Sequence, residues 1–260
     1  MIPLTRYLLP RTDVDGFGTA IEQWSNQNKH TFLKGEVSMA SLLEQCKAKS
    51  TTYSSAHRKI LSSYLSYQYS KSSTTEAQES NLRHLAKDNT LTITTGHQLS
   101  LGLGPLFLIY KALHVINLCE QLNKEQTEYH LVPVFWLASE DHDAQEINHM
   151  WHGGQRFSHT VQPVQHAVGP LPASLALPAL EGLHQATKGW HEQEISDRWL
   201  QIYRASNTLV EAVRALVFSY FDPQELVVLD PNDSALKQLF QPVLVREARE
   251  SLVLNAWNQS

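Results

Sequence analysis

The feature that most constrains this 260-residue chain is an apolar run that ends abruptly in charge: LVPVFWLA at 131–138, followed at once by SEDHD at 139–143. A short segment that is apolar on every residue, and not only on alternate ones, reads as a strand covered on both faces, which is the environment of a parallel sheet. Forty residues upstream, LTITT at 91–95 is short and β-branched, a second strand signature. Between them Pro105 opens a helix, at a position where its missing N–H removes no bond. Leu106, Ile109, Tyr110, Leu113 and Ile116 fall on one face of that helix, which runs to about Leu122. Strand, helix and strand in this order make the βαβ unit of a doubly wound sheet. ELVVLD at 225–230 repeats the buried-strand pattern and adds a third strand.

Four regions follow from this pattern. Residues 1–90 read as a helical N-terminal region, with Ile21, Trp24, Leu42, Leu43, Ile60, Leu61 and Leu65 at helical spacings and SKSSTTEAQES at 70–80 as a junction suited to capping. Residues 91–149 are the first part of an α/β core. Residues 150–222 form an inserted segment, with short β-like pieces around RFSHTVQPVQHAVGPLP and then two helices over 179–221. Residues 223–260 return to the core and carry a helix kinked at Pro242. Three parallel strands make a small sheet, so the core is expected to continue past this chain.

Composition excludes several classes. A formal charge of −5 gives no basic field for nucleic acid or an anionic membrane surface. The apolar runs are too short to span a bilayer, and MIPLTRYLLPRTD, broken by Arg6 and Pro10, lacks a leader's apolar stretch. A cytoplasmic location is the expectation. Two cysteines, Cys46 and Cys119, make no disulfide framework, and Cys119 sits in the amphipathic helix as a small buried residue.

Ligands of open α/β sheets bind beyond the carboxyl ends of the strands, and both strand ends here carry polar chemistry. At the first, Thr95, Gly96, His97 and Gln98 lead to Gly102, Gly104 and Pro105. Glycines before a helix N-terminus let a phosphate or carboxylate reach main-chain amides, with Lys111 two turns further on. The plain alternative is a glycine-rich turn with a capping histidine. At the second, Glu140, Asp141, His142 and Asp143, with Asn148 beyond, crowd three carboxylates and a histidine into four positions. An amine substrate, a cation or a histidinium would relieve the repulsion, and the plain alternative is an acidic first helical turn capped by Ser139 or Asp141. Asp and His are also metal-competent, although no diagnostic ligand spacing occurs. Trp136 reads as a sheet-packing residue.

TTGHQLSLGLGPLFLIYKALHVINL followed by VPVFWLASEDHDAQEINH, and later LVVLDPNDSALKQLFQPVLVRE, resembles the bacillithiol biosynthesis cysteine-adding family, BshC, over residues 90–250. The resemblance implies an α/β fold with a Rossmann-like parallel sheet related to class I aminoacyl-tRNA synthetases and nucleotidyltransferases. It implies an inserted α+β connecting domain at 150–222, and a coiled coil for homodimerisation further along a longer chain, of which this would be the N-terminal half. The implied reaction joins the carboxyl of cysteine to the amine of glucosaminyl malate. Fold analogy suggests ATP, with Mg2+, for activation. On that reading Gly96, His97, Gly104 and Pro105 hold phosphates, while Glu140, Asp141 and Asp143 hold an amine and His142 carries a proton. The chain departs from the family at Leu101, Gly102 and Leu103, where a Phe-Thr pair is common. A metal-dependent hydrolase built on the acidic-histidine cluster and a non-catalytic nucleotide-binding fragment are the competing readings.

Overall fold

A computed structural model describes residues 38–70, 74–126, 128–159, 165–221 and 225–259 of the chain. Ile21, Trp24 and the MIPLTRYLLPRTD start lie outside the described residues. The chain divides into two compact units, 1–52 and 53–260. Within the described part of the first, helix α1 (Met39–Ser50) is capped by Ser38, whose side chain accepts from the Ser41 amide, and holds Leu42 and Leu43.

The second unit begins with α2 (Ser55–Tyr69) and α3 (Glu76–Leu85). Thr75 and Gln78 close a reciprocal capping box that fixes the start of α3, which explains why the Ser/Thr-rich junction ends there. Arg58 is buried, and its guanidinium donates to the carbonyls of Leu85 (3.2 Å), Asp88 (3.3 Å) and Thr90 (2.7 Å). That one side chain ties the end of α3 to the first residue of β1 (Thr90–His97).

Helix α4 (Phe107–Glu125) follows β1 and leads to β2 (His130–Leu137). β1 and β2 are parallel and in register from Thr90↔His130 to His97↔Leu137, and β5 (Val227–Leu229) is parallel to β2 on its other side, giving the order β1-β2-β5. The parallel Rossmann-like sheet read from the sequence is therefore present. Pro133 sits in the central strand without cost. The amides of His130 and Ala138 bond to Asn89 and His97, so even-numbered amides of β2 face β1, and the position lacking an N–H faces the β5 side. β5 begins pairing only at Val134, one residue beyond.

Three differences from the sequence reading concern α4. Pro105 does not open it: Leu101–Leu103 form a 3₁₀ turn, and the helix starts at Phe107. The buried face is Leu108, Ala112, Val115, Ile116, Cys119 and Leu122, while Leu106 and Tyr110 are exposed. The helix also runs to Glu125 and not to Leu122. The predicted face lies about a third of a turn from the buried one: the two share Ile116, and Ile109 and Leu113 pack at the edge of the core.

After β2 come the single-turn helix α5 (Ala144–Ile147) and an antiparallel hairpin, β3 (His149–His152) with β4 (Gln155–Ser158). Three helices follow, where two were expected: α6 (Leu177–Ala186), α7 (Gln193–Ala205) and α8 (Leu209–Phe221). They share one core with the sheet face of Ile93, Phe135, Leu137 and Val228 and with the buried side of α4. The opposite sheet face, Val132, Val134, Val227 and Leu229, packs on Leu61, Leu65, Tyr69, Leu82 and Leu85 of α2 and α3. The last elements are α9 (Ser234–Glu250), which continues through Pro242, and α10 (Leu252–Gln259). Among the described residues no helix is long and apolar enough to cross a membrane.

Candidate functional site

The strand ends bring the two predicted turns side by side but send their side chains to opposite faces of the sheet. Alternation along β1 puts Ile93, Thr95 and His97 on the α4 side and Thr92, Thr94 and Gly96 on the α2–α3 side. Gly96 is required by close approach: a Cβ there would meet the Trp136 carbonyl oxygen at 2.9 Å and the Trp136 Cβ at 3.0 Å.

On the α4 side, the His97 ring lies 5.1 Å from that of Phe107, and Lys111 Nζ donates to the Gly96 carbonyl at 2.6 Å. Burial, and then the Lys111 charge, hold the His97 imidazole below its ordinary pKa, so the ring is neutral near pH 7. His97 Nε2 is enclosed and has no hydrogen-bond partner among the described residues. Gln98 Nε2 donates to Glu146 Oε2 at 2.9 Å, and this bond joins the first turn to the second.

On the other side, Trp136 and Glu140 form one unit. Trp136 Nε1 donates to Glu140 Oε1 at 3.0 Å, while Glu140 Oε2 is enclosed and unpartnered among the described residues. Both line a cavity of about 680 Å³ whose floor is Thr92, Thr94 and Val134 and whose walls include Leu61, Leu236 and Phe240. That volume suits a small molecule, and an apolar pocket with one or two convergent polar groups is the ordinary form of a ligand site. Trp136, expected to pack the sheet, is 40% exposed and positions the carboxylate. Its signal was legible in principle: it stands four residues before Glu140, at the last turn of a strand where side chains leave the sheet.

The rest of the acidic cluster builds its own backbone. Asp141 Oδ1 accepts from the amides of His142 (2.7 Å) and Asp143 (3.1 Å). Asp143, and not Ser139 or Asp141, caps α5, accepting from Gln145 (3.0 Å) and Glu146 (3.1 Å). The His142 side chain is 80% exposed, with Nδ1 3.7 Å from Asp141 Oδ1. The loop at 165–172 closes over this turn, with Val168 and Gly169 donating to the Asp141 and Ser139 carbonyls. Asn148 is spent on the hairpin, taking the His159 amide on its carbonyl and facing His149 Nδ1 through its side chain. Sequence reasoning missed Asp230: it directly follows β5, and its carboxylate accepts from the buried Ser139 hydroxyl. The strand-end rule that singled out the other two turns applies to it equally. Among the described residues no three His, Cys, Asp or Glu side chains are grouped to hold a metal.

The segment 101–105 does not fit a phosphate cradle made of main-chain amides. The Leu103 and Gly104 amides already donate to Ser100 and Leu101. Gly102, at φ +66°, is buried beneath Trp199, and a Cβ there would lie 2.3 Å from that ring. Its glycine serves packing and a left-handed turn.

The chain matches the family model described as "Bacillithiol biosynthesis BshC, N-terminal Rossmann-like domain" over residues 19–259. Relatives named "Putative cysteine ligase BshC" include that of Cytophaga hutchinsonii, 38% identical over 205 residues covering 78% of this chain and 37% of the relative. That of Flavobacterium psychrophilum is 36% identical, covering 73% of this chain and 36% of the relative. That of Geobacillus thermodenitrificans is 30% identical, covering 69% and 34%. The chain thus spans little more than a third of the length of these curated relatives. With its parallel β1-β2-β5 sheet and a match across nearly its whole length, this chain belongs to the BshC family of bacillithiol biosynthesis, as its N-terminal Rossmann-like domain.

Proposed function

We propose that the protein serves a cytoplasmic cysteine ligase reaction, forming an amide between the carboxyl of cysteine and the amine of glucosaminyl malate, and that the Trp136–Glu140 cavity receives the amine. The observation that carries this is the Glu140 carboxylate, fixed through Oε1 by the Trp136 indole while Oε2 is enclosed without a donor. An enclosed carboxylate oxygen with no donor is costly, and an ammonium offers both the missing donors and the opposite charge. An amine attacks an acyl carbon only as the free base, and a carboxylate within hydrogen-bond reach of the ammonium is placed to take its proton, the role of a general base.

The other residues divide their work. Asp141 and Asp143 hold the turn that presents Glu140, and Gln98–Glu146 locks that turn to β1. His97 acts as a neutral hydrogen-bonding group on the α4 side, beside Lys111. Thr95, Gly96, Gly104 and Pro105 shape the end of β1 and the approach to α4, and no step is assigned to ATP or Mg2+ on this segment. Homodimerisation belongs to the longer relatives' remaining length in this proposal.

The test is product formation from cysteine, glucosaminyl malate and ATP, followed by mass spectrometry of the thiol. Glu140→Gln keeps size and the bond to Trp136 but removes the base, and should lower the rate by about 100-fold or more with an unchanged circular dichroism spectrum. A variant as active as the wild type removes Glu140 from the reaction.

A further inference from the structure

A second cavity, of about 740 Å³, lies beside β5 and is lined by a buried arginine that forms no ion pair among the described residues. It is lined by Tyr64 and Gln68 of α2, Glu211 and Arg214 of α8, and Asp230 and Asp233 at the carboxyl end of β5. Arg214 is 8% exposed, and its guanidinium lies 4.4 Å from the Tyr69 ring centroid and 5.4 Å from that of Phe218. Its Nε and Nη2 are enclosed and have no hydrogen-bond partner among the described residues. Arginine does not shed its proton in such a place, and no carboxylate forms an ion pair with it among the described residues.

The carboxylates around the cavity are committed elsewhere, each through one oxygen. Glu211 Oε2 accepts from the Asn207 amide (2.9 Å) and Asp233 Oδ1 from the Ala235 amide (2.7 Å). Asp230 Oδ1 accepts from the Ser139 hydroxyl and from the Asn232 amide (3.0 Å). The lining therefore opposes one guanidinium with three carboxylates, each holding a second oxygen outside these bonds. A dianion such as phosphate would meet net repulsion, and a metal ion would leave Arg214 unpaired. A small zwitterion meets both demands, its carboxylate on the guanidinium fork and its ammonium among the acidic groups.

We propose that this cavity binds a free α-amino acid, held by Arg214 through the carboxylate and by Glu211, Asp230 and Asp233 through the ammonium. The site stands apart from the Trp136–Glu140 cavity, and the two share no lining residue. Its occupancy does not rest on the ligase reading, because binding is measured without turnover.

Thermal unfolding of the protein is followed with L-alanine, L-cysteine, succinate and inorganic phosphate, each tested alone. An amino acid at about a hundred times its Kd should raise Tm by about 5–10 °C for a unit of this size, and succinate and phosphate should not. Arg214→Met should weaken the amino acid by about 10- to 100-fold. Replacing a buried unpaired charge with an apolar chain of similar length should preserve the fold. Should that variant not fold, Glu211→Gln, which keeps an acceptor for the Asn207 amide, should still weaken the amino acid measurably. No shift with either amino acid, an undiminished shift in the foldable variants, or a shift confined to succinate or phosphate overturns the proposal.

Discussion

Acidification should weaken the fold through His159, by an amount that can be worked out from its setting. His159 follows β4, is 5% exposed, and its amide donates to the Asn148 carbonyl, which extends the β3–β4 pairing by one residue. Its Nδ1 is enclosed with no partner among the described residues, and burial pushes the imidazole down to about 4. The folded state therefore holds the neutral ring, while the unfolded chain protonates near 6.5. Above pH 6.5 neither state binds the proton and the group is without effect. As pH falls from 6.5 towards 4 the unfolded chain takes up the proton first, and stability is lost across that window. The loss is about 1.4 kcal/mol at pH 5.5 and about 2.5 kcal/mol at pH 4.5. Urea unfolding of wild type and His159→Leu between pH 7.5 and 4.5 isolates the contribution, since the carboxylates common to both cancel. The wild type should lose about 2.5 kcal/mol more than the variant over that range. Parallel pH profiles, or a wild type that gains stability relative to the variant on acidification, would refute the argument.

Two further outcomes test the geometry of the strand ends. Gly96→Ala places a methyl group 2.9 Å from the Trp136 carbonyl oxygen, and should cost about 1–3 kcal/mol by overpacking, read as a lower Tm and altered Trp136 fluorescence; an unchanged Tm contradicts the close approach. Lys111→Met leaves burial as the main force on His97 but removes the neighbouring charge that also lowers it. The His97 pKa, followed by NMR of its ring protons, should move up towards its ordinary value, and a fall or no change would deny that the two side chains interact.

The sheet was legible because its signals are local. A wholly apolar LVPVFWLA and a β-branched LTITT leave few alternatives to buried parallel strands, and the intervening amphipathic segment supplies the crossover. The start of α4 was not legible. Proline favours a first helical position, but here Leu101–Leu103 turn first and Pro105 stands outside the helix. The residues in the two turns were identifiable by their position beyond strand ends, whereas the directions of their side chains were not. Direction follows from register with a neighbouring strand: His97 lies opposite Leu137 on the α4 side, and Glu140 turns back to Trp136 on the other. Asp141 and Asp143 looked like ligand groups because charge after a buried strand is unusual, yet short acidic side chains also satisfy amides in tight turns. Arg214 could not be singled out, since only packing against Tyr69 and Phe218 distinguishes it from a surface arginine.

The central claim is that the amine of the acceptor is received at the unpartnered oxygen of Glu140. A crystal structure of the protein soaked with glucosaminyl malate tests it most directly. The amine nitrogen is expected at about 3 Å from Glu140 Oε2, with the Trp136–Glu140 bond intact; an amine found elsewhere, with the Trp136 cavity empty, would contradict it.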